Sequence, residues 1–581
     1  MPTRLEKLKK CTSKPDFARL LGVDPVFLTR VVYIRNTEKL YTEFKIKKKN
    51  GDDRIISAPD KELKEIQSKL SKLLLDCLDN IRSSLEIDNN FSHGFERKKS
   101  IISNAEKHKR KKWILNIDLK NFFDEFNYGR VRGYFLKNNY FSLNENICNL
   151  IAKIACYKNK LPQGSPCSPV ITNLILLSLD RRLNQICKNS GCTYTRYADD
   201  ITISTNKSIF PKKIISSYEE NSITLGKKFI NEIISSGFTL NEKKIRLHGT
   251  THRQEVTGLT VNQFVNVENK YARKVRAMVH SLFTKGEFYL IDKVTQEARL
   301  GTVNELTGML GFIDSLDKYN NKILKNTIKQ SNFNIELNKR EKIYANFLYF
   351  KSFYFNAKPV LLTEGKTDIT YLRVALDSLA YKYPDLIGYK ENGRNKIRDY
   401  KLTFFKNSPK TKYLLNLDGG SSHLKEFLNN FEKKARIYKT SGEINPVIII
   451  LDNDSGSGGN NGIFESLMNK LRGKISSKEE LRSKKWIWVT QNLYIIFTPL
   501  NGKKESSMED LFDKDTLNIK LGGKVFNRTN SKCTAEQYGK EVFANGVVLK
   551  KRKSINFSGF SPIFDAISEI ITYHNSSKWA N

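Results

Sequence analysis

The sequence predicts a multidomain protein, α+β in its earlier part and α/β in its later part, and three observations carry that reading. At 581 residues the chain is too long for one ordinary core, and typical domain sizes give two to four domains. Residues 195–204 set Asp199 and Asp200 at a bend between runs rich in β-branched and aromatic residues, which reads as a hairpin with its acids at the turn. From Val360 onward, continuous apolar strands are separated by helical stretches, the pattern of a parallel sheet covered on both faces, with function at the strands' C-terminal ends.

Composition narrows the class. A hydrophobic fraction of 39% permits real cores, while a formal net charge of +38 exceeds what solubility requires and implies a polyanionic partner. Nucleic acid is the economical choice; an anionic membrane surface is its rival, but no apolar run approaches the roughly 20 residues of a spanning helix. The first residues, Met1 to Lys7, lack the apolar core of a signal peptide, so a cytoplasmic protein is expected. The eight cysteines (Cys11, Cys77, Cys148, Cys156, Cys167, Cys187, Cys192 and Cys533) contain no Cys-x-x-Cys pair and read as reduced, mostly buried thiols.

In chain order, residues 1–40 show helical periodicity and form a small prelude. Residues 44–59 alternate around Asn50-Gly51, a strong hairpin signal, and 61–85 are again helical. Residues 113–124 give a buried-strand pattern that ends on Asp118 and runs into the aromatic pair Phe122-Phe123, supplying a third carboxylate from a separate strand. Residues 161–169 form a rigid Pro/Gly turn that leads into helical sequence at 170–179. Neighbouring aspartates repel and lose hydration on burial, so a fold that gathers three of them invites a divalent cation.

In order, spacing and identity these segments resemble the palm motifs of reverse transcriptases, the last being the Tyr-Ala-Asp-Asp box, Tyr197 to Asp200. The resemblance implies a right-hand polymerase of fingers, palm and thumb with two Mg²⁺ ions, one activating the primer hydroxyl and one holding the triphosphate. Asp118 and Asp199 would bridge the metals and Asp200 support them. Phe123 falls where the family has its aromatic gate against a ribose 2′-OH, Gln163 and Gly164 would line the pocket beside the incoming base, and Arg54 in the fingers hairpin matches the family's triphosphate contact, a role suited to its forked donors. Two further motifs resemble signatures of retron reverse transcriptases: Asn104-Ala105-x-x-His108, and the triplet Val256-Thr257-Gly258. Both would hold a folded RNA by phosphate and 2′-OH contacts. The helical, basic stretch 266–355 matches a thumb and linker.

Past Pro359, Glu364-Gly365-Lys366-x-Asp368 follows a short apolar strand, and Asp452-x-Asp454 follows another. The pair resembles a Toprim domain of the overcoming-lysogenisation-defect nuclease branch, filling 356–581. By that resemblance Asp452 and Asp454 bind Mg²⁺, Glu364 binds a second ion or acts as general acid/base, and Glu509 and Asp510 resemble a later acidic motif. Residues 415–420 read as another strand end, and Lys550 to Lys553 as a phosphate-binding strip.

Together the resemblances imply a bacterial retron reverse transcriptase with fingers and palm at 41–265. It would copy a cognate structured non-coding RNA, with dNTPs, into branched RNA-linked single-stranded DNA (msDNA) from a 2′-OH primer. The fused Toprim domain would act as the effector in antiphage defence, and a homo-oligomer with the RNA–DNA product stays open. Two rivals stand beside this reading: a mobile-element, group II intron-like enzyme, and a non-catalytic nucleic-acid scaffold.

Overall fold

The computed structural model describes residues 2–47, 51–84, 91–219, 222–292, 295–328, 336–392, 395–440, 444–454, 462–529 and 532–576. Asn50 of the expected turn and Leu85 at the expected helix end lie outside them. The chain forms two compact units, the first comprising Met1–Ala272, Ile291–Ala298 and Ser315–Ser331, the second Arg273–Leu290, Arg299–Asp314 and Asn332–Asn581. Residues 266–355, expected as thumb and linker, are largely helical where described and are divided between the two units. No helix among the described residues is long and apolar enough to cross a membrane.

In the first unit, short helices α1 (Arg4–Lys9), α2 (Lys14–Leu21) and α3 (Pro25–Thr29) each start at a side-chain cap, on Thr3, Ser13 and Asp24. The expected hairpin is β1 (Tyr41–Lys47) against β2 (Asp53–Pro59), antiparallel, with Ile46 opposite Arg54. Helix α4 (Lys61–Ser84) buries Leu63, Ile66, Leu70, Leu74, Cys77 and Ile81, a stripe at three- and four-residue spacing. After α5 (Ile101–Glu106) comes β3 (Trp113–Asp118), then α6 (Tyr128–Lys137), α7 (Glu145–Ala155) and the long α8 (Ser168–Asn189). Strands β4 (Thr193–Tyr197) and β5 (Asp200–Thr205) form the acid-bearing hairpin, followed by the hairpin β6 (Ile215–Glu219)–β7 (Ser222–Leu225), α9 (Lys227–Ser235) and β8 (Arg246–Gly249). The main sheet runs β4-β5-β3-β8, every pairing antiparallel. One apolar core, from Leu8 in α1 to Ile245 before β8, holds the helices on it.

The unit closes with a two-residue hairpin, β9 (Glu255–Val256) and β10 (Leu259–Thr260). Helices α10 (Asn269–Lys285) and α11 (Val303–Ile328) follow.

The second unit continues through α12 (Lys339–Tyr349), whose aromatic end is an interior cluster. Phe350 and Phe353 are fully buried, with ring centroids 5.1 Å from Phe283 and 4.8 Å from Phe427 respectively. Its sheet contains β11 (Val360–Thr363), β12 (Thr403–Phe404), β13 (Val447–Leu451), β14 (Ile487–Thr490) and β15 (Leu493–Phe497), in the order β12-β11-β13-β15-β14. All neighbours are parallel except β14 with β15. Every residue of β11, β13 and β15 is buried, which is what coverage of both faces demands. The expectation of a strand end at 415–420 is corrected. Those residues join α14 (Pro409–Leu415) to α15 (Ser421–Ala435), with Asn416 in the left-handed conformation as the C-cap of α14.

Candidate active sites

Three acids meet at one end of the main sheet. Asp118 closes β3 and stands opposite Asp200, the first residue of β5, while Tyr197 pairs with Asp200 across a loop of only Ala198 and Asp199. The Asp199 carbonyl accepts from the Leu119 amide at 3.1 Å, tying the loop to the end of β3. Ala198 carries φ +56°, a left-handed conformation that costs an L-residue roughly 1–2 kcal/mol and that two-residue hairpins usually give to glycine or asparagine.

Asp118 is buried and accepts from Asn241 Nδ2 at 3.1 Å and from Lys244 Nζ at 2.8 Å. Burial, then Asp118, holds Asp199 above the usual carboxylate range, with Lys244 and Arg54 pulling it back. Asp200 keeps an exposed surface, yet the surrounding protein, then Asp199 and Asp118, push it up to about 7. Among the described residues no three His, Cys, Asp or Glu side chains form a ready-made metal cage. The donor chemistry nevertheless fits Mg²⁺, which takes hard oxygens and binds through one or two carboxylates with water and substrate phosphates.

Around the acids, Arg54 is exposed on β2 and close enough to act on Asp199. The Gln163 carbonyl accepts from the Ser57 amide of β2 at 2.8 Å, so the Pro/Gly turn is fastened to the hairpin that bears Arg54. Gly164 has φ +128°, and a Cβ there would lie 2.6 Å from the Ser57 carbonyl oxygen, so only glycine fits. Phe123 is half-buried, its ring 5.2 Å from that of the core residue Phe122.

The two motifs expected to hold RNA come together, but most of their side chains do not face solvent. His108 is fully buried, with Nδ1 2.7 Å from the Ser204 hydroxyl and Nε2 2.7 Å from the Thr195 hydroxyl, and burial pushes its pKa down to about 3. Asn104 is 1% exposed and, among the described residues, neither of its side-chain amide atoms has a hydrogen-bond partner; Val256 is fully buried. The side chains of Asn104, His108 and Val256 are thus interior in this structure, and the His108 ring ties the segment that follows α5 to β4 and β5. Thr257 (φ +48°) and Gly258 (φ +83°) form the turn itself, where a β-branched residue at positive φ is unusual. The Thr257 hydroxyl reaches the Ile101 carbonyl of α5 at 3.5 Å, and Gly258 is exposed.

A second acidic cluster lies in the other unit, at the C-terminal ends of β11 and β13. Asp452 is pushed up to about 8 by burial and then by Asp368, Glu509, Glu364 and Asp454. Asp368, at the start of α13 (Asp368–Ser378), is pushed up to about 7 by burial and Glu509, and accepts from the Gly365 amide at 2.7 Å. Asp452 Oδ1 accepts from the Met508 amide at 3.0 Å, which brings the 508–511 turn to the strand end. Glu509 points into this cluster and pairs with Lys540 Nζ at 3.2 Å; Asp510 turns away to Lys503. Asp368, Lys540, Lys244 and Asn241 were not singled out from the sequence. Asp368 carried a signal, its place in Glu-Gly-Lys-x-Asp; the other three sit in stretches without pattern.

Residues 46–261 match the family model "Reverse transcriptase (RNA-dependent DNA polymerase)". The chain is 33% identical over 281 residues to the retron Ec86 reverse transcriptase of Escherichia coli, covering 48% of this chain and 77% of that one. It is 30% identical to the retron Mx162 reverse transcriptase of Myxococcus xanthus, covering 54% and 66%. A telomerase structure from Candida albicans aligns at TM-score 0.29 and 13% identity, over 55% of this chain and 60% of that one. The protein belongs to the retron reverse transcriptases.

Proposed function

We propose that the first unit performs Mg²⁺-dependent, RNA-templated DNA synthesis on a cognate retron RNA, with Asp118, Asp199 and Asp200 holding the ions, and that the product is msDNA begun from an RNA 2′-OH. The observation that carries this is the convergence of the three acids from β3, the β4–β5 loop and the start of β5, where Asp118 raises the cost of ionising Asp199 and both raise that of Asp200, which favours a cation between them. Bound Mg²⁺ would activate the attacking hydroxyl and stabilise the leaving pyrophosphate. The chain's own part is to aim the carboxylates, to present Arg54 to the triphosphate, to shape the nucleotide pocket with Gln163 and Gly164, and to set the Phe123 ring against a ribose 2′-OH. We read the second unit as a Toprim-like nuclease effector of antiphage defence. This reading is supported by a mostly parallel sheet with Glu364, Asp368, Asp452, Asp454 and Glu509 around the C-terminal ends of β11 and β13.

One experiment tests both halves in cells carrying the gene and its RNA. Asp199→Asn with Asp200→Asn is expected to abolish single-stranded DNA while RNA affinity of the purified protein stays within about threefold, because phosphate contacts come from Lys and Arg elsewhere. Asp452→Ala or Glu364→Ala is expected to leave the DNA at normal levels and remove phage protection. Synthesis by the palm variant within about tenfold of wild type, a barrier change of only about 1.4 kcal/mol, would sink the palm assignment. Full protection by the second pair at wild-type abundance would remove the nuclease.

A further inference from the structure

We infer that Arg196 is a positioning residue for DNA synthesis, bracing the left-handed Ala198 so that Asp199 and Asp200 project correctly. The inference rests on the reading of Asp199 and Asp200 as the catalytic pair. Arg196 is fully buried in β4, two residues before the loop. Its Nε and Nη2 grip both oxygens of Asp180 in α8, at 2.7 and 2.8 Å, and the Asp180 carboxylate also accepts from the Tyr194 hydroxyl at 2.7 Å. The remaining arm, Nη1, donates to the Ala198 carbonyl at 2.9 Å. Thus a guanidinium locked by a buried carboxylate fixes the carbonyl of the strained residue, while the Leu119 amide holds that of Asp199.

The brace extends further. Nη2 also reaches Asn173 Oδ1 at 3.2 Å, Asn173 Nδ2 donates to the Gly94 carbonyl at 2.8 Å and approaches Glu96 at 3.3 Å, and Glu96 takes both arms of Arg82 in α4 at 2.8 Å. The segment held this way pairs with the free edge of β4: the Arg196 amide donates to Phe91 and the His93 amide to Arg196, at 2.7 and 2.9 Å. Gly94 then presses on the loop from the other side, where a Cβ would fall 2.6 Å from the Ala198 nitrogen. Ala198 is gripped at its carbonyl and crowded at its nitrogen, which is how a backbone conformation of high energy persists.

The test uses the full-length protein extending a primer annealed to an RNA template. Arg196→Lys keeps the charge beside Asp180 and loses the fork; it is expected to lower kcat at least 30-fold with the dNTP KM within threefold. Adding Ala198→Gly, which adopts the left-handed region without strain, is expected to recover at least tenfold of that loss. Tyr194→Phe removes a bond to the same Asp180 without touching Ala198, and is expected to lower the thermal midpoint while kcat stays within threefold. A crystal structure of Arg196→Lys is expected to show residue 198 outside the left-handed region. Wild-type kcat in Arg196→Lys, an equal kcat loss in Tyr194→Phe, or no recovery with glycine would each overturn the brace. If Arg196→Lys does not fold, Arg196→Met with Asp180→Leu removes both buried charges together, and the same kcat thresholds decide. An Asp199→Asn, Asp200→Asn control that still synthesises DNA would instead remove the reading beneath it.

Discussion

At the scale of the residue, His108 is a fully buried ring that links two strands. Its two ring nitrogens serve the Thr195 and Ser204 hydroxyls on neighbouring strands. His108→Ala is expected to cost roughly 3 kcal/mol, from the cavity and the two orphaned hydroxyls, and to lower the thermal midpoint by several degrees. RNA affinity per folded molecule should stay within twofold. Calorimetry together with filter binding decides; an unchanged midpoint with weakened RNA binding would restore a direct contact. The sequence made the acids legible because metal chemistry restricts residue type and spacing. Lys244 was illegible, since it reaches Asp118 from a single 3-10 turn, Glu242–Lys244, too short to show periodicity, and so was Lys540 beside Glu509. His108 was legible as special, but its burial was not, because residue identity says nothing about burial.

Among the elements, the Pro162-Gln163-Gly164 turn packs closely on the β1–β2 hairpin. Gly164→Ala would place a methyl against the Ser57 carbonyl, a backbone atom that cannot swing aside, and would force a side chain into φ +128°. The Ser57–Gln163 bond must then give, shifting β2 and with it Arg54. Single-nucleotide kinetics are expected to show kcat/KM for dNTPs reduced about 10- to 100-fold, roughly 1.4–2.8 kcal/mol, without loss of the folded state. An unchanged value would detach this turn from the nucleotide pocket. Most elements could be read in advance: the Arg54 hairpin from alternation, α4 and α8 from three- and four-residue spacing, and the parallel sheet from unbroken apolar runs. Residues 415–420 failed because Leu414, Leu415 and Leu417 suggested a strand, when Ser408-Pro409 ahead of them and Gly419-Gly420 behind mark a helix start and a turn.

For the whole molecule, the two acidic clusters set the response to pH. Asp452, Asp368 and Asp200 are raised in the folded protein, to about 8, about 7 and about 7, so the fold holds protons that the unfolded chain releases. Stability then falls as pH rises from about 4 through about 8. His108, with its lowered pKa, acts oppositely, but its effect is complete once pH exceeds about 6.5. Between pH 6.5 and 8.5, with chelator present, the thermal midpoint is expected to fall, and Mg²⁺ to flatten the slope by favouring the ionised carboxylates. A midpoint that is level or rising in chelator would contradict the raised acids. The strand order β4-β5-β3-β8 has a bearing on time as well as on geometry. β3 pairs only with strands that come much later in the chain, the last of them ending at Gly249, about 130 residues after Asp118. At about 5–20 residues per second on the ribosome, β3 waits roughly 7 to 26 s for its outer neighbour. During that interval Ile114, Leu115 and Ile117, all buried in the finished protein, have no completed sheet to enter. The nascent chain therefore passes through a window of stickiness before any catalytic geometry exists, and slower synthesis lengthens it.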